Sequence, residues 1–344
     1  MHIPAEWEQH QATLLSFPHN HLDWPGKFQA ARWAFVDLIN KITRYEPVML
    51  VVKSSGHQSY VENLLNRAHV DKEKVSYIIC DTDRSWMRDS GPVIRKSDKG
   101  EREALHFKFN GWGKYDNYRK DLAVPPVIAR YLTIPLIQVS YNNRNVVLEG
   151  GAIDNNGNGT LITTEECLMD QVNQVRNPGF SKSDYENIFR ENLGIRNVIW
   201  LGKGIEGDDT HGHVDDICRF ISRNIVVAAR ETNRKDGNHF KLEENLERLQ
   251  DACDASGEKI NVVTIPMPAR IDFEKLRLPA SYLNFIYLNE ALFVPVFNDR
   301  KDYLALGIFH ELFPDRDVIG INATDLVWGL GTLHCLSREI PARE

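Results

Sequence analysis

The chain has 344 residues, of which 26% are charged and 42% hydrophobic, a composition that is typical of a globular protein with a sizeable core. Its formal net charge of −7 argues against nucleic acid as a partner, and no apolar run approaches the roughly 20 residues that cross a bilayer. Because the N-terminus lacks a signal-peptide pattern and the five scattered cysteines contain no Cys-x-x-Cys pair, we expect a cytoplasmic protein with free thiols.

Helical periodicity alternates with short β-branched runs along the whole chain, without a low-complexity linker. Helices are expected over 26–44, 56–68, 119–132, 183–193, 239–255 and 301–313. The third of these requires Pro125 and Pro126 to lie in its first turn, and Ser183-Asp-Tyr-Glu186 is typical of a helix start. The strands that follow helices are expected over Val48–Val52, Val75–Ile79, Ile134–Val139, Val198–Leu201, Ile260–Ile265 and Val318–Ile321. Further strands are expected over Leu105–Phe109, Val146–Leu148, Thr160–Thr164, Ile217–Ile221, Ile225–Ala229, Phe285–Leu288 and Leu292–Phe297. This alternation predicts a single α/β domain over 1–344.

The spacing of the elements indicates a repeat. Strands that follow helices begin at 75, 134, 198, 260 and 318, at intervals of about 60 residues. Five units at such a spacing are typical of a radially repeated architecture, whereas the alternative of a doubly wound sheet lacks its G-x-G-x-x-G fingerprint here. Chemically active side chains follow these strand starts, namely Asp89, Glu149, His213, Asn284 and Cys335. If the units surround an axis, these residues converge on one central site.

Three acidic segments contribute to this set. In Trp86-Met-Arg-Asp89-Ser-Gly-Pro, the turn is expected to expose Asp89, and Trp86 offers an apolar face to a flat cation. Glu149-Gly-Gly allows a ligand to approach the backbone closely. His213 and Asp215 lie two residues apart and would share a face on an extended strand. The aspartates and histidines of 208–216 would also suit a metal, but the chain contains neither H-E-x-x-H nor Cys-x-x-Cys.

Near the end, Trp328-Gly-Leu-Gly-Thr-Leu-His-Cys335 presents a thiol after a glycine-rich approach. A Cys-His pair alone would suggest acyl transfer. Three carboxylates (Asp89, Glu149 and Asp215) are unfavourable there, because they would repel an oxyanion and raise the pKa of the thiol. They suit a guanidinium, which binds carboxylates through several N–H donors. The residues therefore predict a site for a small cationic guanidino substrate.

Several ordered motifs resemble one known family. They are Pro4-Ala-Glu-Trp-Glu, Trp86-Met-Arg-Asp89-Ser-Gly-Pro, Glu149-Gly-Gly, Thr163-Thr-Glu-Glu-Cys-Leu, Gly207-Asp-Asp-Thr-His-Gly-His213-Val-Asp215, Ser281-Tyr-Leu-Asn-Phe and His334-Cys335. Together they are similar to the agmatine deiminase and bacterial-type peptidylarginine deiminase family, over essentially the whole chain. The resemblance implies the pentein fold, a five-bladed α/β propeller. It also implies hydrolysis of a guanidino to a ureido group with release of ammonia, without metal or organic cofactor.

The resulting hypothesis assigns a role to each residue. Asp89 and Asp215 hold the guanidinium with Trp86 and Asn284, Glu149 holds a further N–H or orients His213, Cys335 attacks, and His213 transfers protons. Agmatine is the first choice of substrate, with peptidylarginine or free arginine as alternatives. Free arginine would need a carboxylate partner, for which Arg88 and Arg338 are candidates.

Some points stay open in the sequence. Arg338 and Glu339 depart from the family pattern that follows the nucleophile, which allows a different substrate tail. An amidinotransferase, a metallohydrolase using 208–215 and a non-catalytic binding propeller are the remaining alternatives. The sequence is compatible with a homo-oligomer.

Overall fold

The computed structural model describes residues 1–343. Its strands and helices form five sheets of related design, with two small hairpins between them. In chain order the elements are β1 (His10–Ser16), α1 (Phe28–Ile42), β2 (Val48–Val52), α2 (Ser55–Arg67), β3 (Val75–Ile79), α3 (Met87–Ser90), β4 (Val93–Lys96), β5 (Arg102–His106), α4 (Val124–Leu132), β6 (Leu136–Gln138), β7 (Ser140–Tyr141), β8 (Arg144–Asn145), β9 (Ile153–Asn155), β10 (Thr160–Thr164), α5 (Glu165–Leu168), α6 (Lys182–Leu193), β11 (Asn197–Leu201), β12 (Cys218–Phe220), β13 (Ile225–Arg230), α7 (Asn238–Asp251), β14 (Asn261–Pro266), β15 (Asp272–Phe273), β16 (Leu276–Arg277), β17 (Ile286–Tyr287), β18 (Ala291–Val296), α8 (Asp302–Leu312), β19 (Asp317–Asn322), α9 (Leu333–Leu336) and β20 (Ser337–Pro341).

Each sheet repeats one arrangement. A short strand pairs antiparallel with a central strand, a helix follows, and the next strand pairs parallel with the central strand on its other side. The orders are β4-β5-β6, β9-β10-β11, β12-β13-β14, β17-β18-β19 and, with one extra strand, β20-β1-β2-β3. In the last sheet, the C-terminal β20 supplies the antiparallel strand to the N-terminal β1, with Arg338 opposite Leu14. The predicted five-bladed α/β propeller is thus confirmed.

The helices lie close to their predicted positions, with shifted ends. Pro125 and Pro126 lie in the first turn of α4, where a missing N–H costs no helical hydrogen bond. The helix α6 begins after Ser181 and not at Ser183, because Ser181 and Asp184 exchange side-chain-to-backbone bonds as a capping box. Each helix in residues 1–343 falls short of the length and apolar character that a membrane span requires.

Several strand predictions need correction. The run Val146–Leu148 forms only an isolated bridge from Val147 to Lys108, because the Asn177 side chain bonds both backbone groups of Val147, at 2.9 and 2.8 Å. The strand expected over Leu105–Phe109 is β5 and ends three residues earlier. The short strands β4, β9 and β20 and the buried β1 were not predicted, because each lacks a clear two-residue alternation over enough positions.

The repeat explains why candidate site residues recur at similar intervals along the chain. In each unit a candidate residue lies within about four residues before the antiparallel strand. These residues are Asp89 before β4, Glu149 before β9, Asp215 before β12, Asn284 before β17 and Cys335 before β20. The segments that carry them contact one another: α3 contacts α9 and the turn after Glu149, and that turn contacts the turn at 214–216. The site therefore lies where equivalent ends of the units meet.

Candidate active site

Cys335 lies in the single-turn helix α9 and is buried. The backbone before it passes so close to its neighbours that a Cβ on Gly331 would lie 2.8 Å from the Trp86 ring and 3.0 Å from the Cys335 Cβ. A side chain at 331 would therefore displace either the thiol or the indole. Gly331 thus lets the backbone pass close to both Trp86 and Cys335, and both of these residues line the cavity described below.

Asn284 fixes the segment that carries this thiol. Its Oδ1 accepts hydrogen bonds from the Thr332 hydroxyl at 2.8 Å and from the backbone N–H of His334 at 3.0 Å. Its Nδ2 donates to the Cys335 sulfur at 3.2 Å. The predicted substrate-binding residue Asn284 therefore contacts the thiol directly, and an N–H donor at this distance favours the thiolate form of the sulfur.

Asp89 is buried in α3, contrary to the exposed turn expected from Ser-Gly-Pro. The turn ends the helix but leaves the carboxylate facing inward. Trp112 donates its indole N–H to Oδ2 at 2.9 Å, and the backbone of Gly151 donates to Oδ1 at 3.1 Å. These two donors hold the carboxylate of Asp89 in one orientation.

The sequence predicted that His213 and Asp215 lie on an extended strand, but in the structure they do not. Val214–Asp216 form a 3₁₀ turn that His213 precedes, because Asp208 binds the backbone N–H of His213 at 3.0 Å and turns the chain. Both side chains are nevertheless buried at the same site. Asp215 Oδ2 lies 3.8 Å from the Cys335 sulfur, and His213 Nδ1 lies 3.8 Å from Asp89 Oδ1.

Glu149 is buried beside His213, and Gly151 explains how these groups can be so close. A Cβ on Gly151 would lie 2.5 Å from His213 Nδ1, 3.0 Å from Asp215 and 3.1 Å from Asp89. Glu-Gly-Gly therefore brings the backbone close to three other predicted residues, while close approach of a ligand to this backbone stays a prediction. Arg176 donates to Glu149 Oε1 at 2.9 Å.

Sequence reasoning missed several residues that support the site. His334 bridges two carboxylates, with Nδ1 2.7 Å from Asp215 and Nε2 2.9 Å from Glu6. Trp112 and Arg176, described above, were also missed. Glu6 and His334 belong to quoted motifs, but only their juxtaposition in space gives them this role. For Trp112 and Arg176 no local pattern marks the residue.

The electrostatics of the site follow from burial and mutual charge. Burial raises the pKa of the Cys335 thiol well above its ordinary value, and Asp215, Asp216 and Asp89 raise it further. Burial lowers the pKa of His213, but Asp89 and its other neighbours outweigh this and leave that pKa well above its ordinary value. The empty site is therefore expected to hold a neutral thiol beside an imidazolium.

The pKa values of the two aspartates Asp89 and Asp215 are shifted in opposite directions. Burial raises the pKa of Asp89, with Asp215 and Glu149 adding to it. For Asp215, burial is outweighed by the bond to His334, so its pKa is lowered. Among residues 1–343, Glu149 Oε2, Asp215 Oδ1 and both ring nitrogens of His213 are buried atoms without a hydrogen-bond partner. Such atoms are costly unless a ligand satisfies them, so the arrangement is suited to a ligand with several N–H donors.

A cavity of about 520 Å³ leads to this cluster. Its walls include the predicted Trp86, Asp89 and Cys335, whereas Glu149, His213, Asp215 and Asn284 lie behind them. The other lining residues are Leu22, Asp23, Arg84, Trp112, Tyr115, Asp116, Asn117, Asp209, Thr210, Gly329 and Leu330. Three of these are acidic and one is basic.

Two arginines proposed as carboxylate partners of a substrate do not reach the cavity. Arg88 is buried and pairs with Glu6 and Glu339, each at 2.8 Å. Arg338 is also buried, and a Cβ on Gly150 would collide with its guanidinium. The prediction for Arg88 and Arg338 is wrong because both face the ion pairs behind the site. The unusual Glu339 partners Arg88 and does not line the cavity.

The acidic segment 208–215 does not gather around one point as a metal site would. Asp208 accepts hydrogen bonds from the loop backbone, Asp209 binds Tyr115, and His211 pairs with Asp170. These contacts use the side chains to shape the loop and the cavity wall. These residues of the segment therefore do not form a metal-binding cluster among themselves, and His213 lies instead near ligand atoms of two other segments, Glu149 and Cys167.

The five equivalent units bring a thiol, an imidazole and buried carboxylates together at one cavity. This arrangement defines an enzyme of the pentein fold, a hydrolase that acts on a guanidino C–N bond. The chain belongs to the Porphyromonas-type peptidyl-arginine deiminase family, whose model matches residues 2–341. The family expected from the motifs is thus confirmed.

Individual relatives agree with this assignment. The chain is 31% identical over 364 aligned residues to an agmatine deiminase of Ectopseudomonas mendocina (strain ymp), covering 99% of this chain and 95% of the relative. It is similar to the structure of the Enterococcus faecalis agmatine deiminase, with a TM-score of 0.89 at 27% identity over 100% of this chain and 96% of the other. An amidinotransferase from Microseira wollei, at 13% identity and TM-score 0.55 over 99% and 97% of the chains, shares the fold alone.

Proposed function

We propose that this protein is an agmatine deiminase, which hydrolyses agmatine to N-carbamoylputrescine and ammonia in putrescine biosynthesis. The observation that carries the proposal is the set of buried, partly unsatisfied carboxylates beside Cys335. A guanidinium carries five or more N–H donors and a permanent charge, so it satisfies such carboxylates as no neutral substrate can.

The proposed mechanism has two halves. Asp89 and Asp215 bind the guanidinium nitrogens, and the Cys335 thiolate attacks the guanidinium carbon. His213, as imidazolium, protonates the departing ammonia, which leaves a covalent thiouronium on the sulfur. The neutral His213 then takes a proton from water, which attacks the same carbon and releases the ureido product and the thiol.

The substrate itself is proposed to help form the thiolate. Carboxylates raise the pKa of Cys335 in the empty site, and a bound guanidinium places a positive charge that offsets them. We expect the pH midpoint of Cys335 alkylation to fall when a guanidinium that is not turned over is bound. Rates with iodoacetamide across pH would test this, because partial blocking lowers the rate at every pH without moving the midpoint. An unchanged midpoint would contradict substrate assistance.

The cavity supports agmatine over arginine. Asp23, Asp116 and Asp209 line it, and its one lining arginine within the described residues, Arg84, is bound by Asp23 at 2.8 Å. Asp23 Oδ2 has no hydrogen-bond partner in residues 1–343, and burial raises the pKa of Asp23 to about 6. An acidic wall of this kind attracts the tail ammonium of agmatine and repels the carboxylate of free arginine.

Kinetics with agmatine, free arginine and a peptide with C-terminal arginine test the proposal directly. We expect kcat/KM to be highest for agmatine, by roughly 10- to 100-fold, the effect of one charge-assisted contact. Detection of ureido product and ammonia, with no new guanidino product when amines are added, distinguishes hydrolysis from amidino transfer. A higher kcat/KM for either arginine substrate would reject agmatine as the substrate.

The Asp23→Asn variant sharpens this comparison. It removes the proposed partner of the tail ammonium and leaves Arg84 without its carboxylate, so KM for agmatine should rise and the preference over arginine should shrink. Asp315→Asn, at an exposed residue outside the lining set, is the matched control.

The cellular setting is part of the proposal. The five cysteines are free thiols in the described structure, which suits a reducing compartment, and we infer that the enzyme works in the cytoplasm. Its substrate is a small cation, and neither nucleic acid nor membrane is needed for the reaction. A homo-oligomer is compatible with this role.

A further inference from the structure

Glu149, Cys167 and His213 form a compact triangle behind the cavity. Each offers one ligand atom, and these atoms lie within 4.8 Å of one another. All three side chains are buried. Cys167 is carried by α5, whose first turn is fixed because the Thr164 hydroxyl accepts the Cys167 backbone N–H at 3.1 Å. The thiol is therefore held next to the proposed proton carrier.

Some of the polar atoms of this triangle have no hydrogen-bond partner among residues 1–343, so a metal ion would compete with the substrate for them. Arg176 binds Oε1 of Glu149, while Oε2 has no hydrogen-bond partner in the described part of the chain. Both ring nitrogens of His213 are also without a partner there. Buried polar atoms are seldom left unsatisfied, so a carboxylate oxygen and an imidazole nitrogen beside a thiol mark a site with unused binding capacity.

We propose that Glu149, Cys167 and His213 bind Zn²⁺ and that the bound ion inhibits the enzyme. Thiolate, imidazole and carboxylate are the ligands that zinc prefers, at distances of roughly 2.0–2.3 Å. A tetrahedral ion at such distances needs ligand atoms roughly 3.5 Å apart, so the triangle closes with shifts of about 1 Å. The positive charge of Arg176 opposes the ion and keeps its binding reversible.

Inhibition follows from the position of His213, and this part of the inference rests on the proposed function. An ion on His213 occupies a nitrogen that must carry a proton to ammonia and from water. It also adds positive charge beside Asp89, which weakens guanidinium binding. Binding requires the thiolate of Cys167 and the neutral imidazole of His213, so Zn²⁺ displaces a proton from each to solvent and the affinity for the ion rises with pH.

A cobalt titration tests the site without any activity measurement. Co²⁺ replaces Zn²⁺ as probe, because a cobalt–thiolate bond gives a charge-transfer absorption in the near ultraviolet. In Cys335→Ala, which lacks the other nearby thiol, we expect this band to appear and to be displaced by Zn²⁺. Addition of Cys167→Ser should abolish the band, whereas addition of Cys253→Ser should leave it. Absence of the band in Cys335→Ala, or its persistence in the double variant with Cys167→Ser, would overturn the proposal.

Zinc inhibition supplies a second readout. Each variant is compared with its own uninhibited rate, and chelator should restore that rate. Loss of a residue that partners a metal ligand typically weakens metal binding by roughly 10- to 100-fold, and loss of the ligand itself should weaken it at least as much. The half-inhibitory Zn²⁺ concentration should therefore rise by at least that factor in Cys167→Ser and should not rise in Cys253→Ser. Equal sensitivity of Cys167→Ser and the unchanged protein would mean that Cys335 is the target. A Cys167-dependent cobalt band in a protein that does not hydrolyse agmatine would refute the proposed function and leave the metal site standing.

Discussion

Replacement of Cys335 by Ala is expected to lower kcat for agmatine by about 10⁴-fold or more, because no other group can form the covalent intermediate. Binding of agmatine should persist, since Asp89 and Asp215 keep their partners Trp112 and His334. Steady-state assays of ammonia release and titration calorimetry with agmatine measure the two quantities separately.

Cys253→Ser is the matched control for this variant, because Cys253 is a free, partly buried thiol that is absent from the cavity wall. Its turnover should stay within about twofold of the unchanged protein. Turnover near the original level in Cys335→Ala would remove the thiol from the mechanism and, if chelators then abolish it, would favour a metallohydrolase. A protein that binds guanidino compounds with no turnover before any substitution would be a binding propeller.

Asp89→Asn is expected to reduce kcat/KM for agmatine by roughly 10²- to 4 × 10³-fold, since removal of one partner of a buried charge pair costs about 3–5 kcal/mol. Both oxygens of Asp89 accept an N–H, from Trp112 and from Gly151. An amide group can accept only one of them, and its NH₂ then faces the other donor. The variant therefore loses charge and disturbs the orientation of the side chain.

The same variant should make the Cys335 thiol more reactive, although it lowers turnover. Asp89 is one of the carboxylates that raise the pKa of Cys335, so its neutralisation should lower the pH midpoint of Cys335 alkylation in the empty site. Turnover then falls while thiolate reactivity at neutral pH rises. Unfolding of the site would also lower the pKa of the thiol, because burial is the main cause that raises it, so an unchanged unfolding temperature is the required control. Asp315→Asn should change neither quantity. A midpoint that stays constant or rises in Asp89→Asn would show that the carboxylate does not act on the sulfur.

The sequence predicted the convergence of the site because the repeat is regular. Asp89, Glu149, Asp215, Asn284 and Cys335 each precede the antiparallel strand of a unit, so equivalent positions in the repeat become neighbours in space. Local signals also predicted the helices well, including the first-turn prolines of α4. The helix predictions needed only a short window of sequence, whereas the repeat became visible only over the whole chain.

The parts that could not be predicted depend on distant partners. Trp112 and Arg176 bind Asp89 and Glu149 through contacts that no local motif specifies. The turn at His213 forms because Asp208 binds its backbone, which overrides the extended conformation expected there. Arg88 faces Glu6 and Glu339 because burial of a charge demands a partner, and sequence spacing does not reveal on which side that partner lies.

The pairing of β20 with β1 has a consequence for biosynthesis. The strand β1 is translated before the four other sheets, but its antiparallel neighbour β20 and the adjacent Cys335 are translated after them. Until then the first blade has one unpaired edge, and the nascent chain lacks the sulfur of the proposed nucleophile. Deimination therefore begins only when β20 has been made and has paired with β1. A ribosome that stalls before Cys335 leaves an inactive product.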